Sequence, residues 1–138
     1  MKVLGLDVGD KKIGVAVSDE LGFMAHGLTV IHRKSLKEDL AEIKKIITVH
    51  NVKEIVVGYP RNMNGTVGPR AEMVERFAEA LYKSTGIKPV FWDERLSTVE
   101  AEKLLISGDL SRQKRKKVID KMAATLILSG YLNYKSKY

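Results

Sequence analysis

Three acidic positions in this 138-residue sequence stand where acids are seldom found without a task. Asp7 interrupts the run Val3-Leu4-Gly5-Leu6-Asp7-Val8, whose apolar residues are those of a central strand covered on both faces. Removing an ionised carboxylate from water costs several kcal/mol unless it gains a partner. Asp7 is therefore either a turn cap for Gly9 or a metal ligand or acid/base group at a sheet edge. A second acidic site, Asp93 with Glu94, follows Pro89-Val90-Phe91-Trp92 and precedes Arg95 and Ser97. Adjacent strand residues point to opposite faces, so at most one of the two can share a pocket with Asp7. Glu94 has the longer reach, whereas an irregular strand end would select Asp93. An ordinary acid pair at a helix start is the plain alternative.

Asp120 is the third. It is the single acid among residues 111–138, which also carry eight basic side chains. It borders a helical face of Ile119, Met122, Ala123, Leu126 and Ile127, from which it can look toward a sheet. Its alternative is simple charge at a helix N-terminus. Taken together, Asp7, Glu94 and Asp120 offer oxygen ligands suited to Mg²⁺ or Mn²⁺, hard ions that keep water and bind phosphates. Two such ions about 3.5–4 Å apart activate water and stabilise the leaving oxygen in phosphodiester cleavage. The sequence has no cysteine, which excludes disulfides, thiolate zinc sites and cysteine nucleophiles. His26, His32 and His50 lack ligand spacing and are read as ordinary surface or core residues.

The charge distribution names the kind of partner. The formal charge is +7, and residues 1–110 are neutral overall, so the final 28 residues hold all of it. A neutral body with one cationic end attracts phosphate polymers. The run Arg112-Gln113-Lys114-Arg115-Lys116-Lys117 sits immediately before Asp120, which places phosphate-attracting charge beside a candidate metal ligand. No apolar run is long enough to span a membrane and the N-terminus lacks a signal-peptide pattern, so a soluble cytoplasmic protein is expected.

The elements that would position these residues follow from periodicity. Lys2–Asp7 and Lys12–Ser18 read as strands joined by a Gly9–Asp10 turn, and Leu28–Ile31 as a third, giving an antiparallel meander. Ser35 precedes Glu38 by three, a helix-start pattern, and apolar residues then recur at helical spacing from Leu36 to Ile47. Glu54–Gly58 is short and continuously apolar, as in a buried parallel strand. A second helix runs from Pro69 to Ser84, a further strand covers Pro89–Asp93, a helix covers Ser97–Ile106, and a last helix covers Val118–Asn133. Three strands followed by alternating helix and strand predict a mixed α/β sheet in one domain, 1–138. Phe91 and Trp92 are read as core. Residues 59–68 make a long connection for this position, with Arg61 and Arg70 available to hold phosphate.

The blocks Leu6-Asp7-Val8-Gly9-Asp10-Lys11-Lys12-Ile13-Gly14, Gly58-Tyr59-Pro60-Arg61-Asn62, Asp93-Glu94-Arg95-Leu96-Ser97 and Asp120-Lys121-Met122-Ala123-Ala124 resemble the YqgF/RuvX family. They occur in the family's order and span nearly the whole chain. Lys12 stands where the family more often has arginine, Asn64 where it usually has an acid, and Tyr59 where it usually has leucine. The resemblance implies an RNase H-like fold with a five-stranded mixed sheet flanked by helices. It implies a nuclease whose carboxylates fall on Asp7, Asp93 or Glu94, and Asp120. The leading role implied is processing of precursor 16S rRNA in ribosome biogenesis, together with ribosomal particles; kinship with RuvC implies cleavage of branched DNA junctions. Lys12, Arg61, Arg70, Arg95, Lys114, Arg115, Lys116 and Lys117 are the expected contacts to nucleic acid. A non-catalytic RNA-binding module is the competing reading, and three acids near phosphate argue against it. Asp7-Val8-Gly9 also resembles the phosphate loop of actin-like kinases, but those need a second similar domain, and no second Asp-x-Gly block occurs.

Overall fold

The structure, a computed structural model, describes residues 1–60, 68–93 and 112–137, and within the last stretch the side chains of 122–136. Alternation of apolar residues makes strands β1 (Lys2–Val8), β2 (Lys12–Ser18) and β3 (Ala25–His32). Then come helix α1 (Leu36–His50), β4 (Val52–Tyr59), helix α2 (Pro69–Thr85), β5 (Val90–Asp93) and helix α3 (Arg112–Lys137). The strands form one sheet in the order β3-β2-β1-β4-β5. β1, β2 and β3 pair antiparallel, while β4 runs parallel to both β1 and β5. This is the mixed α/β sheet expected from the sequence.

Local chemistry sets the boundaries. The Ser35 side chain accepts a hydrogen bond from the Glu38 amide at 3.2 Å and so caps α1. Asn51 ends α1 in the left-handed region at φ 53°, and Gly86 ends α2 at φ 76°. Pro69 opens α2, where its missing N–H is not needed.

The two sheet faces carry separate cores. Leu4, Leu6 and Val8 of β1 join Ile13, Val15, Ile55 and Val57 beneath α1 and α2, where Ile43, Val74, Phe77 and Leu81 complete the layer. On the other face, Val3, Ala16 and Val56 meet Ala124, Ile127, Leu128, Tyr131 and Leu132 of α3. Gly5 lets α3 come close: a Cβ there would stand 2.7 Å from the Leu128 Cβ and 3.2 Å from the Ala124 carbonyl oxygen. Trp92 lies against α3 in the same way, its ring 3.1 Å from where a Gly130 Cβ would be.

The direction of α3 is fixed at its far end. The Tyr131 hydroxyl donates to Glu54 near the start of β4, and Lys135 pairs with the same carboxylate. The C-terminal part of α3 therefore covers the beginnings of β1 and β4, and its N-terminal part points toward their carboxyl ends.

Three sequence expectations change. β3 begins at Ala25 rather than Leu28; the added Ala25-His26-Gly27 shows no apolar run, His26 and Gly27 being exposed, and is held by pairing with Ala16, Val17 and Ser18. The last helix begins at Arg112 rather than Val118, because Arg, Lys and Gln are good helix formers and the basic run simply extends it. Phe91 is 43% exposed on edge strand β5, tilted against Tyr59 with ring centroids 5.0 Å apart, whereas Trp92 is partly buried against the α3 core. The helix expected over Ser97–Ile106 lies outside the described residues. No described helix is long and apolar enough to cross a membrane.

A candidate active site at the carboxyl ends of the parallel strands

Asp7 is the last residue but one of β1 and pairs with Gly14 of β2. By alternation it shares the face of Val3 and Gly5, the face that α3 covers. Its side chain is 18% exposed, and Arg70 Nη2 stands 3.8 Å from its Oδ1. Arg70 lies in the first turn of α2 and is 55% exposed, so this long contact adds little stability and leaves the guanidinium in reach of solvent. α2 thus delivers a cation across the sheet edge to an acid on the opposite layer.

Strand register sets Asp93 apart from Asp7. Leu6 pairs with Val57, so Asp7 lies level with Gly58, and Gly58 pairs with Trp92. Trp92 accordingly sits on the face of Asp7 and α3. Asp93 pairs with Tyr59, which packs with the opposite core. β5 keeps its register through Asp93, so the side chains of Asp93 and Asp7 lie on opposite faces. Glu94, Arg95 and Arg61 lie outside the described residues. Position 120 belongs to α3, one helical turn before Ala124, whose carbonyl abuts Gly5; the side chains of Asp120 and of Lys114, Arg115, Lys116 and Lys117 are outside the description.

Lys12 opens β2 opposite His32 of β3. Its carbonyl accepts the Gly9 amide at 2.8 Å, closing the turn that follows Asp7. The amides that open α2 turn inward instead of facing a ligand: Ala71 and Glu72 both donate to the Gly68 carbonyl. His26 and His32 are exposed strand residues.

One arrangement beside the site was given no role from the sequence. Asp39 is 2% exposed in the first turn of α1, where its Oδ2 accepts from Arg33 Nε at 3.0 Å and its Oδ1 from the Lys34 amide at 3.1 Å. Arg33 Nη1 donates to the Gly9 carbonyl at 3.0 Å, and the guanidinium lies 5.2 Å over the Phe77 ring. The signal was present: Asp39 falls three after Leu36 and four before Ile43, on the apolar stripe of α1, and a buried acid demands a partner.

Among the described residues no cluster of three His, Asp or Glu side chains forms a metal site. Asp7 is thus the described member of the expected set, and Glu94 and Asp120 would have to complete it.

A family model described as "RuvX: Holliday junction resolvase" matches residues 1–134. The chain belongs to the RuvX family. A protein of Carboxydothermus hydrogenoformans named "Putative pre-16S rRNA nuclease" is 83% identical over 137 residues, 99% of each chain. One of the same name from Halothermothrix orenii is 56% identical, covering 99% of this chain and 98% of its own. RuvX membership makes the chain a nuclease, an enzyme that hydrolyses phosphodiester bonds. Among solved structures, RuvC of Thermus thermophilus in complex with a Holliday junction superposes with a TM-score of 0.61 at 15% identity, covering 99% of this chain and 96% of that one. The large terminase nuclease of a thermophilic phage gives 0.57 at 13% identity over 95% of this chain and 81% of its own. At such identities these likenesses speak for the RNase H-like fold alone.

Proposed function

We propose that this RuvX-family nuclease hydrolyses phosphodiester bonds in the precursor of 16S rRNA, in the cytoplasm, on ribosomal particles in assembly, with Mg²⁺ or Mn²⁺ held by Asp7, Glu94 and Asp120. The observation that carries the reading is Asp7 itself, a half-buried acid at the carboxyl end of β1 with Arg70 Nη2 3.8 Å from its Oδ1. An acid at a sheet edge with a solvent-accessible guanidinium beside it can serve a phosphate that must be both attracted and attacked. The carboxylate oxygen of Asp7 is a donor of the hard class that these cations prefer. Bound there, such a cation would supply a water of lowered pKa and charge neutralisation at the leaving oxygen.

The remaining roles belong to the chain. Glu94 is favoured over Asp93 because β5 directs Asp93 to the other side of the sheet. Asp120 is favoured because position 120 is one turn up the helix from Ala124, on the way from Gly5 toward the Asp7 end of β1. Arg70 and Lys12, with Arg61 and Arg95, would grip the backbone near the cut. Lys114, Arg115, Lys116 and Lys117 would draw it in from further away. Trp92 packs against α3 and Phe91 against Tyr59, so recognition by backbone shape and charge is favoured over base stacking.

A branched DNA junction is the second reading, favoured by the family model's description. The test sets precursor 16S rRNA and a four-way DNA junction side by side with Mg²⁺, Mn²⁺ or EDTA, using Asp7→Asn as control. EDTA-sensitive cleavage of the RNA that is lost in Asp7→Asn is the expected result. Preferential cleavage of the junction would replace the substrate. Metal-independent activity, or activity surviving in Asp7→Asn, would overturn the mechanism, and tight binding with no cleavage of either would make this a binding module.

A further inference from the structure

The Arg33 guanidinium reaches three elements at once. Its Nε lies on Asp39 of α1 at 3.0 Å, its Nη1 donates to the Gly9 carbonyl at 3.0 Å, and the same Nη1 approaches Met73 Sδ of α2 at 3.7 Å. Its plane covers Phe77, also of α2. The backbone of Arg33 adds a fourth tie, its amide donating to the Lys11 carbonyl at 2.8 Å. Both flanks of the β1–β2 turn are therefore held by one residue, Gly9 through the side chain and Lys11 through the main chain. Gly9 is two residues after Asp7, and Met73 is three after Arg70 on the same helix.

This is an expensive way to fill space. A nearly buried ion pair is often no more stabilising than well-packed apolar side chains of the same volume, because desolvation offsets most of the attraction. What apolar packing lacks is direction. Here the fork of an arginine fixes a carbonyl, a carboxylate and a helix at set angles, which a lysine's single point charge cannot do.

We infer that Arg33 is a positioning residue: it holds the Asp7–Lys12 turn and the first turns of α2 in one fixed relation, and so sets where the Asp7 carboxylate stands relative to Arg70 and the scissile phosphate. The inference rests on the proposed nuclease site for its functional consequence, while its structural half is independent of any activity. Misplacing a reacting group by about 1 Å can lower a rate about a hundredfold while leaving binding intact.

The test compares the parent chain with Arg33→Lys, which keeps the charge opposite Asp39 but loses the fork, and Arg33→Leu, which removes both. Amide hydrogen exchange is measured on all three at a temperature where each is folded by circular dichroism. The expected result is at least tenfold faster exchange at Gly9 and Arg33 in both variants, with Val3 to Leu6 of β1 unchanged. Uniform acceleration across the sheet would mean general loss of stability, and unchanged exchange at Gly9 would mean that the clamp is idle; either overturns the inference. On precursor 16S rRNA with Mg²⁺, kcat should fall ten- to a hundredfold in Arg33→Lys with KM within about threefold. A loosened Gly9 with kcat preserved, or a raised KM with kcat preserved, would also overturn it. If the parent cleaves neither RNA nor junction DNA, the nuclease reading fails separately. The clamp is then judged on exchange and on Mn²⁺-induced broadening of the Asp7 and Gly9 amide signals: half-saturation at least tenfold higher in Arg33→Lys supports it, and equal half-saturation overturns it.

Discussion

Gly5 of β1 and Leu128 of α3 approach so closely that a single added carbon on the glycine would stand 2.7 Å from the leucine Cβ. Real side-chain carbons do not come that near, so α3 or β1 must move to admit one. Gly5→Ala should therefore cost about 1–3 kcal/mol, the usual range for overpacking a filled core. At roughly 4 °C per kcal/mol for a chain of this size, the loss is readable in a thermal melt. Alanine at 128 would keep the clashing Cβ, so the partner change is Leu128→Gly: Gly5→Ala should cost less in that background than in the parent, and a double-mutant cycle with no coupling would show that the two residues do not meet in solution.

Asp7→Asn should separate chemistry from folding. The ion pair with Arg70 is long and open to solvent, so stability should change little, by less than about 1 kcal/mol. Cleavage should fall by at least a hundredfold, while affinity for the RNA stays within a few fold. Arg70→Ala should do the reverse in part, weakening binding more than it weakens the fold. Filter binding and melts on the same preparations distinguish the two patterns.

Asp39→Ala would leave the Arg33 guanidinium nearly buried beside no acid. Removing one partner of such a pair costs about 3–5 kcal/mol, far more than the net worth of the pair itself. Chemical denaturation with an unchanged m-value would report the loss as one of stability rather than of compactness.

Alkaline titration gives a further check at the other end of α3. Burial and the neighbouring Glu54 carboxylate push the Tyr131 hydroxyl from its ordinary value near 10 up to about 12. The raised value means that the folded state favours the protonated form. The stabilisation is fully present below pH 10 and is lost as the pH rises through about 12. Tyr131→Phe should be less stable than the parent at pH 8, and the gap should narrow above pH 10.

For the basic run, the readout is the slope of affinity against salt. Each phosphate neutralised contributes about −0.7 to the logarithmic slope on single strands and about −0.9 on duplex DNA. Replacing Lys114, Arg115, Lys116 and Lys117 with serine should flatten the slope by two or more units. An unaltered slope would remove the run from the binding surface.

The fold was largely legible because its strands are amphipathic in the simple way that a sheet between two helical layers requires. Leu4, Leu6 and Val8 alternate with Val3, Gly5 and Asp7, and that alternation both made β1 recognisable and made Asp7 conspicuous. Ser35 with Glu38, and Pro69, marked helix starts by local hydrogen-bond chemistry alone. The first three residues of β3 carry no such pattern, because pairing, rather than their own composition, makes them a strand. The N-terminal turns of α3 carry no apolar periodicity, only a charge run whose residues nonetheless favour a helix. Asp39 is conspicuous on the apolar stripe of α1, but its partner is not, since the Arg33 contacts join three stretches of chain, around Gly9, Asp39 and Met73, that the sequence keeps apart. That Asp93 lies on the face opposite Asp7 also follows from register, which no local pattern encodes.

The pairing of β1 with α3 also has a meaning in time. Synthesis proceeds from the N-terminus, so β1, β2 and β3 emerge before the helix that must cover Val3, Ala16 and Val56. Contacts between Gly5 and Leu128 span almost the entire chain and are among the last that can form. A nascent chain would carry Asp7 early, without the helix bearing position 120 above it. The face formed by Val3, Ala16 and Val56 stays uncovered until α3 is free to close over the first strand, which makes it the surface most open to misassociation during folding.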